Sequence, residues 1–114
     1  MYYKVLNEDL KSLGMKPKGR QVPIIQYVVG KWVYPLEPIS KNSDKGGGLW
    51  VNLRKGQAIG IARRLWKEKR RRVRVFVCLI GKILCQPSDY RLKTDKVMLL
   101  KEIPVHFLYI QGLK

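Results

Sequence analysis

The chain has 114 residues and 13.3 kDa, enough for one domain, since two would each be left with too little interior to bury. Its 46% apolar and 10% aromatic content suffices for a packed core, while 28% charged residues and a mean hydropathy of −0.23 argue against an integral membrane protein or a wholly disordered chain. Twenty-four Lys and Arg against eight Asp and Glu leave a formal charge of +16, too large an excess to pair off internally, so part of it must face solvent or a polyanion.

No stretch approaches the ~18 consecutive apolar residues of a spanning helix, and Met1-Tyr2-Tyr3-Lys4 lacks the apolar core and cleavage site of a secretory leader. The expectation is an intracellular protein without membrane insertion. Tyr2 to Leu6, aromatic and β-branched, predicts a strand. Asn7 ahead of Glu8 and Asp9 has the order of an N-cap before acidic first-turn residues, which predicts a short helical segment through Leu10 and Leu13 that Gly14 closes. Met15 to Arg20 is basic and turn-prone, and Gln21 to Val29 is a second β-rich run in which Pro23 marks a first residue or an edge.

Pro35 and Pro38 interrupt regular structure, and Ser40 to Gly48 has the polarity and glycine content of a long exposed loop. Leu49 to Leu53 returns as a short strand. From Lys55 to about Arg70, Ala58, Ile61, Ala62 and Leu65 recur at helical spacing; from Val73 to Ile80 the period changes to two, predicting a core strand. A type II′ turn at Gly81 would set Ile80 opposite Ile83, Leu79 opposite Leu84 and Cys78 opposite Cys85, near enough for a disulfide. Free thiols are the favoured state, because intracellular disulfides are rare. With His106 as the sole histidine there is no zinc ligand set, and neither metal nor cofactor is expected.

After Pro87-Ser88-Asp89, Tyr90 to Lys93 and Lys96 to Glu102 read as extended, and Val105 to Ile110 forms a last apolar run. The whole predicts one α+β domain over residues 1–114: about six mostly antiparallel or mixed strands, one long basic amphipathic helix and one short helical segment. A small sheet leaves an edge or apolar face to cover, so a homodimer is the expected assembly.

The densest charge runs from Arg63 to Arg74, a net +7 in twelve residues opposed only by Glu68. On a helix Arg63, Lys67 and Arg70 follow i, i+4, i+7, with Arg64 and Arg71 on the adjoining row, while the apolar stripe turns the other way. This predicts an outward cationic ridge. Guanidinium forks grip phosphate oxygens, and phosphates recur along DNA or RNA, so Arg63, Arg64, Lys67, Arg70, Arg71 and Arg74 are the candidate nucleic-acid contacts, without base identity. A solvated helix end that aids solubility explains the same run, and an acidic protein partner is a further reading.

Trp66 flanks the ridge and can offer a ring for stacking, although packing at the core edge is favoured. Lys45-Gly46-Gly47-Gly48 can turn amides toward an anion, but the spacing is not that of a P-loop and a flexible turn is favoured. No nucleophile stands near a base in sequence, so no catalytic residue is assigned and an enzyme is not the expectation.

The segments Tyr3-Lys4-Val5-Leu6-Asn7, Gly46-Gly47-Gly48-Leu49-Trp50-Val51 and Lys93-Thr94-Asp95-Lys96-Val97, with the small size and basicity, resemble accessory proteins of viruses and phages. The Arg-rich helix followed by Val73-Arg74-Val75-Phe76-Val77 is similar in style to small proteins of hyperthermophilic archaeal rod-shaped viruses (rudiviruses). The resemblance implies an intracellular, dimeric protein of virus DNA handling or host-defence interference, which makes a protein-binding anti-defence module the alternative function and lends weight to a Cys78–Cys85 disulfide. A second likeness is to compact ADP-ribosyltransferase-like domains, through the Gly-rich entry to Leu49-Trp50-Val51, the helix, the valine-rich strand and the terminal β region. It implies an NAD-binding fold, yet no histidine or arginine precedes Asn7 and no glutamate follows the core strand before Glu102, so no catalytic set is recognisable.

Overall fold

Strict alternation in the valine-rich segment sends one set of side chains to each side of a strand, and both sides here are apolar enough to need a cover. A computed structural model describes residues 1–14, 23–43 and 46–105 of the chain. Its elements are β1 (Tyr2–Asn7), β2 (Trp32–Val33), β3 (Leu49–Asn52), α1 (Lys55–Lys69), β4 (Val73–Ile80), β5 (Ile83–Cys85), β6 (Arg91–Thr94) and β7 (Val97–Ile103). The strands form one sheet in the order β2-β7-β4-β1-β3-β6-β5, with every pairing antiparallel. Because β3 and β4 both run against β1, they are parallel to each other, and α1 is the crossover that joins them.

The two faces are covered differently. On one, Val5, Val73 and Val75 meet Ala58, Ala62 and Leu65 of α1. The two alanines are fully buried, and their small volume brings the helix close to the central strands. On the other, Leu6, Phe76, Cys78, Leu49, Val51, Leu92, Val97 and Leu99 form the larger core, closed by Tyr27 from the segment before β2. Among the described residues no helix is long and apolar enough to cross a membrane.

The predicted α+β class is corrected: over the described residues the fold is predominantly β, seven antiparallel strands with one helix of 15 residues. The helix forms where its period predicts, but the short helical segment after Asn7 does not. Leu10 takes a left-handed φ of 63°, Lys11 bridges to Gln26, and the Asn7 amide donates to Ser12 O (3.1 Å) instead of capping a helix. Of the run predicted from Gln21 to Val29, the described part forms only that isolated bridge, outside the seven-stranded sheet, and the strand lies later, at Trp32–Val33. The hairpin across Gly81 is also corrected. β4 is flanked by β1 and β7, so β5 pairs with β6 instead, and Gly81, whose φ is not positive, donates its N–H to Lys96 O (3.0 Å). Cys78 and Cys85 are consequently not opposite one another, and both thiols are free. The run predicted to Ile110 falls, beyond Val105, outside the described residues.

Lys4 alternates onto the larger core's face, paired with Phe76. Its ammonium donates to Trp50 O at 2.5 Å and lies 5.4 Å from the centre of the Tyr27 ring. Burial disfavours the charged form and lowers its pKa from 10.5 to about 8, against a smaller opposing effect of Cys78, whose own thiol burial pushes up to about 12. Between pH 8 and 10.5 the unfolded chain therefore binds more protons at this lysine than the folded chain, and Lys4's contribution to stability rises with pH across that window. Thermal unfolding of wild type and Lys4→Met from pH 7 to 10 checks this: the difference shifts in favour of wild type as pH rises.

Candidate nucleic-acid interface

The register of α1 is fixed from inside. Ala58, Ala62, Leu65 and Trp66 are buried, and at 3.6 residues per turn this leaves Arg63, Arg64, Lys67, Glu68 and Lys69 outside, where all five are exposed. Fifteen residues at a rise of ~1.5 Å give a helix of about 22 Å, of which the cations from Arg63 to Arg70 take up roughly 10 Å at the C-terminal end. Arg54 and Lys55 stand apart from them at the N-terminal end, also exposed, and no acidic residue occupies the first turn. Lys67 and Lys69 in the last turn sit favourably at the negative end of the helix dipole.

Arg70 ends the helix in the left-handed conformation, φ 49°, with its N–H on Trp66 O (2.9 Å), and the Arg71 N–H follows onto Leu65 O (3.2 Å). A residue with a Cβ costs roughly 1–2 kcal/mol there, where glycine is the ordinary choice. What the chain gains is an exposed guanidinium 5.4 Å from the Trp66 ring, joined on the same ring by Arg72 at 5.3 Å. Trp66 itself is 8% exposed, so it seats two arginines at the end of the ridge and is closed to a stacking base.

Two of the expected contacts are committed elsewhere. Arg71 turns inward: its guanidinium donates to Asn7 Oδ1 (3.0 and 2.7 Å) and Leu13 O (2.9 Å), tying the end of β1 to the helix exit. Arg74 grips both carboxylate oxygens of Glu102 at 2.9 Å and donates to Glu8 O at 3.2 Å. That hydrogen-bonded pairing raises the pKa of Arg74 and holds Glu102 below the usual carboxylate range. The carboxylate that an ADP-ribosyltransferase reading would need is thus neutralised, in an open cleft of about 460 Å³ between Glu8, Arg72, Arg74 and Val105.

The glycine loop works in the opposite sense from an anion cradle. The buried Lys93 ammonium donates to Asn42 O (2.7 Å) and Gly46 O (3.3 Å), so these carbonyls gather round a cation of the chain's own. Gly48 lies so close to the Lys93 methylenes that a Cβ would overlap them, and Gly47, φ +83°, has its carbonyl on Ser40 N–H (3.0 Å). Lys45 and His106 lie outside the described residues. Sequence reasoning also passed over Arg91, whose guanidinium stands 4.4 Å from the centre of the Trp50 ring. The two-residue period of the segments holding Trp50 and Arg91 could have put both on one face, but only the pairing of β3 with β6 makes them neighbours.

The division between structural and outward arginines has a direct stability consequence. Arg71→Ala leaves Asn7 Oδ1 and Leu13 O without their charged donor and costs about 1.5–3 kcal/mol, whereas Arg63→Ala stays within about 0.5 kcal/mol of wild type. Denaturant unfolding of the two variants measures the difference.

Comparison of the chain with protein-family models, with curated proteins and with solved structures finds no match.

Proposed function

We propose that the protein binds nucleic acid through phosphate contacts along the outward side of α1. The observation that carries this reading is the line of exposed cations, Arg63, Arg64, Lys67 and Arg70, accompanied in the helix by Glu68 as its only acid. These four groups follow one another over roughly 10 Å of the helix axis, enough to meet adjacent phosphates of a strand, and each contact releases condensed counterions. Arginine supplies three of the four groups, which suits bidentate contact with phosphate oxygens. Arg70, kept in a backbone conformation that favours glycine, is consistent with a guanidinium required at that place.

A protein-binding module is the second reading, and one observation favours it. Ile24, Val28, Val29, Tyr34, Leu36 and Ile39 are all exposed, within a stretch whose only charges are Lys31 and Glu37. In a chain of +16 such a neutral apolar segment is the part that a second copy could approach without cationic repulsion.

Fluorescence anisotropy with labelled DNA and RNA across a salt series tests the primary reading. Four phosphate-neutralising groups give a slope of log K against log salt of about −3, and reversing Arg63, Arg64, Lys67 and Arg70 to glutamate abolishes binding. Binding that survives the reversal, or that is matched by heparin at every salt concentration, contradicts it.

A further inference from the structure

The helix-bearing face of the sheet continues past α1 onto β3 and β6. Pairing sets Tyr3 opposite Asn52, Asn52 opposite Arg91 and Trp50 opposite Lys93, so these residues share one face, the one on which Tyr3 packs against the helix cluster. Trp50 and Arg91 are diagonal neighbours there, with the guanidinium 4.4 Å from the ring centre. Trp50 is half-buried and fixed; Arg91 is exposed, so its outer side is accessible to a ligand. The Tyr90 carbonyl accepts the N–H of Leu53 at 2.8 Å, which sets the start of β6 beside the turn into α1 at Arg54. A flat cationic and aromatic pair therefore stands near the N-terminal end of the helix, where Arg54 and Lys55 are exposed.

From this juxtaposition we infer that the ligand is single-stranded nucleic acid, bases of which stack on the Arg91–Trp50 pair while its phosphates lie along Arg54, Lys55 and the cations from Arg63 to Arg70. The inference rests on the nucleic-acid reading and adds the class of strand. A guanidinium already laid on an indole is planar and oriented in advance, so a base adds a further layer at small entropic cost. In a duplex each base face is covered by its neighbours, so duplex can use the charges of the ridge but not this platform. Lysine in place of Arg91 would keep the charge and lose the plane.

The test is fluorescence anisotropy at one fixed salt concentration with three probes of equal length: an oligothymidine, an abasic oligomer with the same sugar-phosphate backbone, and a duplex. Wild type binds the oligothymidine about tenfold more tightly than the abasic strand, in keeping with the stacking of a base on an aromatic group. Arg91→Lys, at an exposed position, removes most of that preference and changes abasic and duplex binding by less than about twofold. Equal binding of the oligothymidine and the abasic strand by wild type overturns the inference and leaves the phosphate reading standing, as does indifference of oligothymidine binding to the substitution. Absence of binding to all three probes overturns both.

Discussion

The seating of α1 on the central strands is the constraint on which the remainder depends. Ala58 and Ala62 are fully buried against β1 and β4, where a longer side chain would have to push the helix away from the sheet. Once that stripe is fixed, helical geometry leaves no choice about the others: the positions carrying Arg63, Arg64 and Lys67 must face away. Their mutual repulsion opposes folding, and the burial of Leu65, Trp66, Val73 and Val75 beneath them offsets it.

The charge of +16 is not spread evenly in its consequences. Lys4 and Lys93 lie within the fold, each held by backbone carbonyls, one beneath Tyr27 and one beneath the glycine loop. Arg71 and Arg74 are joints between the helix exit, β1 and β7. Among the described residues the densest outward charge is at the C-terminal end of α1, from Arg63 to Arg70, with Arg70 and Arg72 on Trp66, while Arg54 and Lys55 stand at the other end of the helix, toward Arg91 on Trp50. A cationic patch of this density favours the approach of a polyanion to that part of the surface.

Where the sequence carries a strong local period, the fold was readable in it. The helix from Lys55 and the strand from Val73 both form, because the spacing of their apolar residues matches the surfaces that bury them. The errors fall where a distant partner decides. Asn7 has the chemistry of a helix cap, but its side chain is taken by Ser12 and Arg71. Gly81 invites a hairpin, but β4 already has a neighbour on each side, and its register leaves β5 to the far edge. At the site, the exposure of Arg63, Arg64, Lys67 and Arg70 follows from periodicity, whereas the loss of Arg71 and Arg74 to Asn7 and Glu102 depends on chain segments at least 28 residues away. The partial burial of Lys4 and the full burial of Lys93 belong to the same class, since an alternating strand shows which face a lysine is on and not whether a tyrosine or a loop closes over it.

Backbone amide shifts recorded during titration with a short single-stranded oligonucleotide locate the contact without altering the protein. Binding along α1 gives the largest changes at residues 54–72, with a lesser set around Arg91. Changes centred on residues 24–39, or scattered over the surface without a maximum on α1, would contradict it.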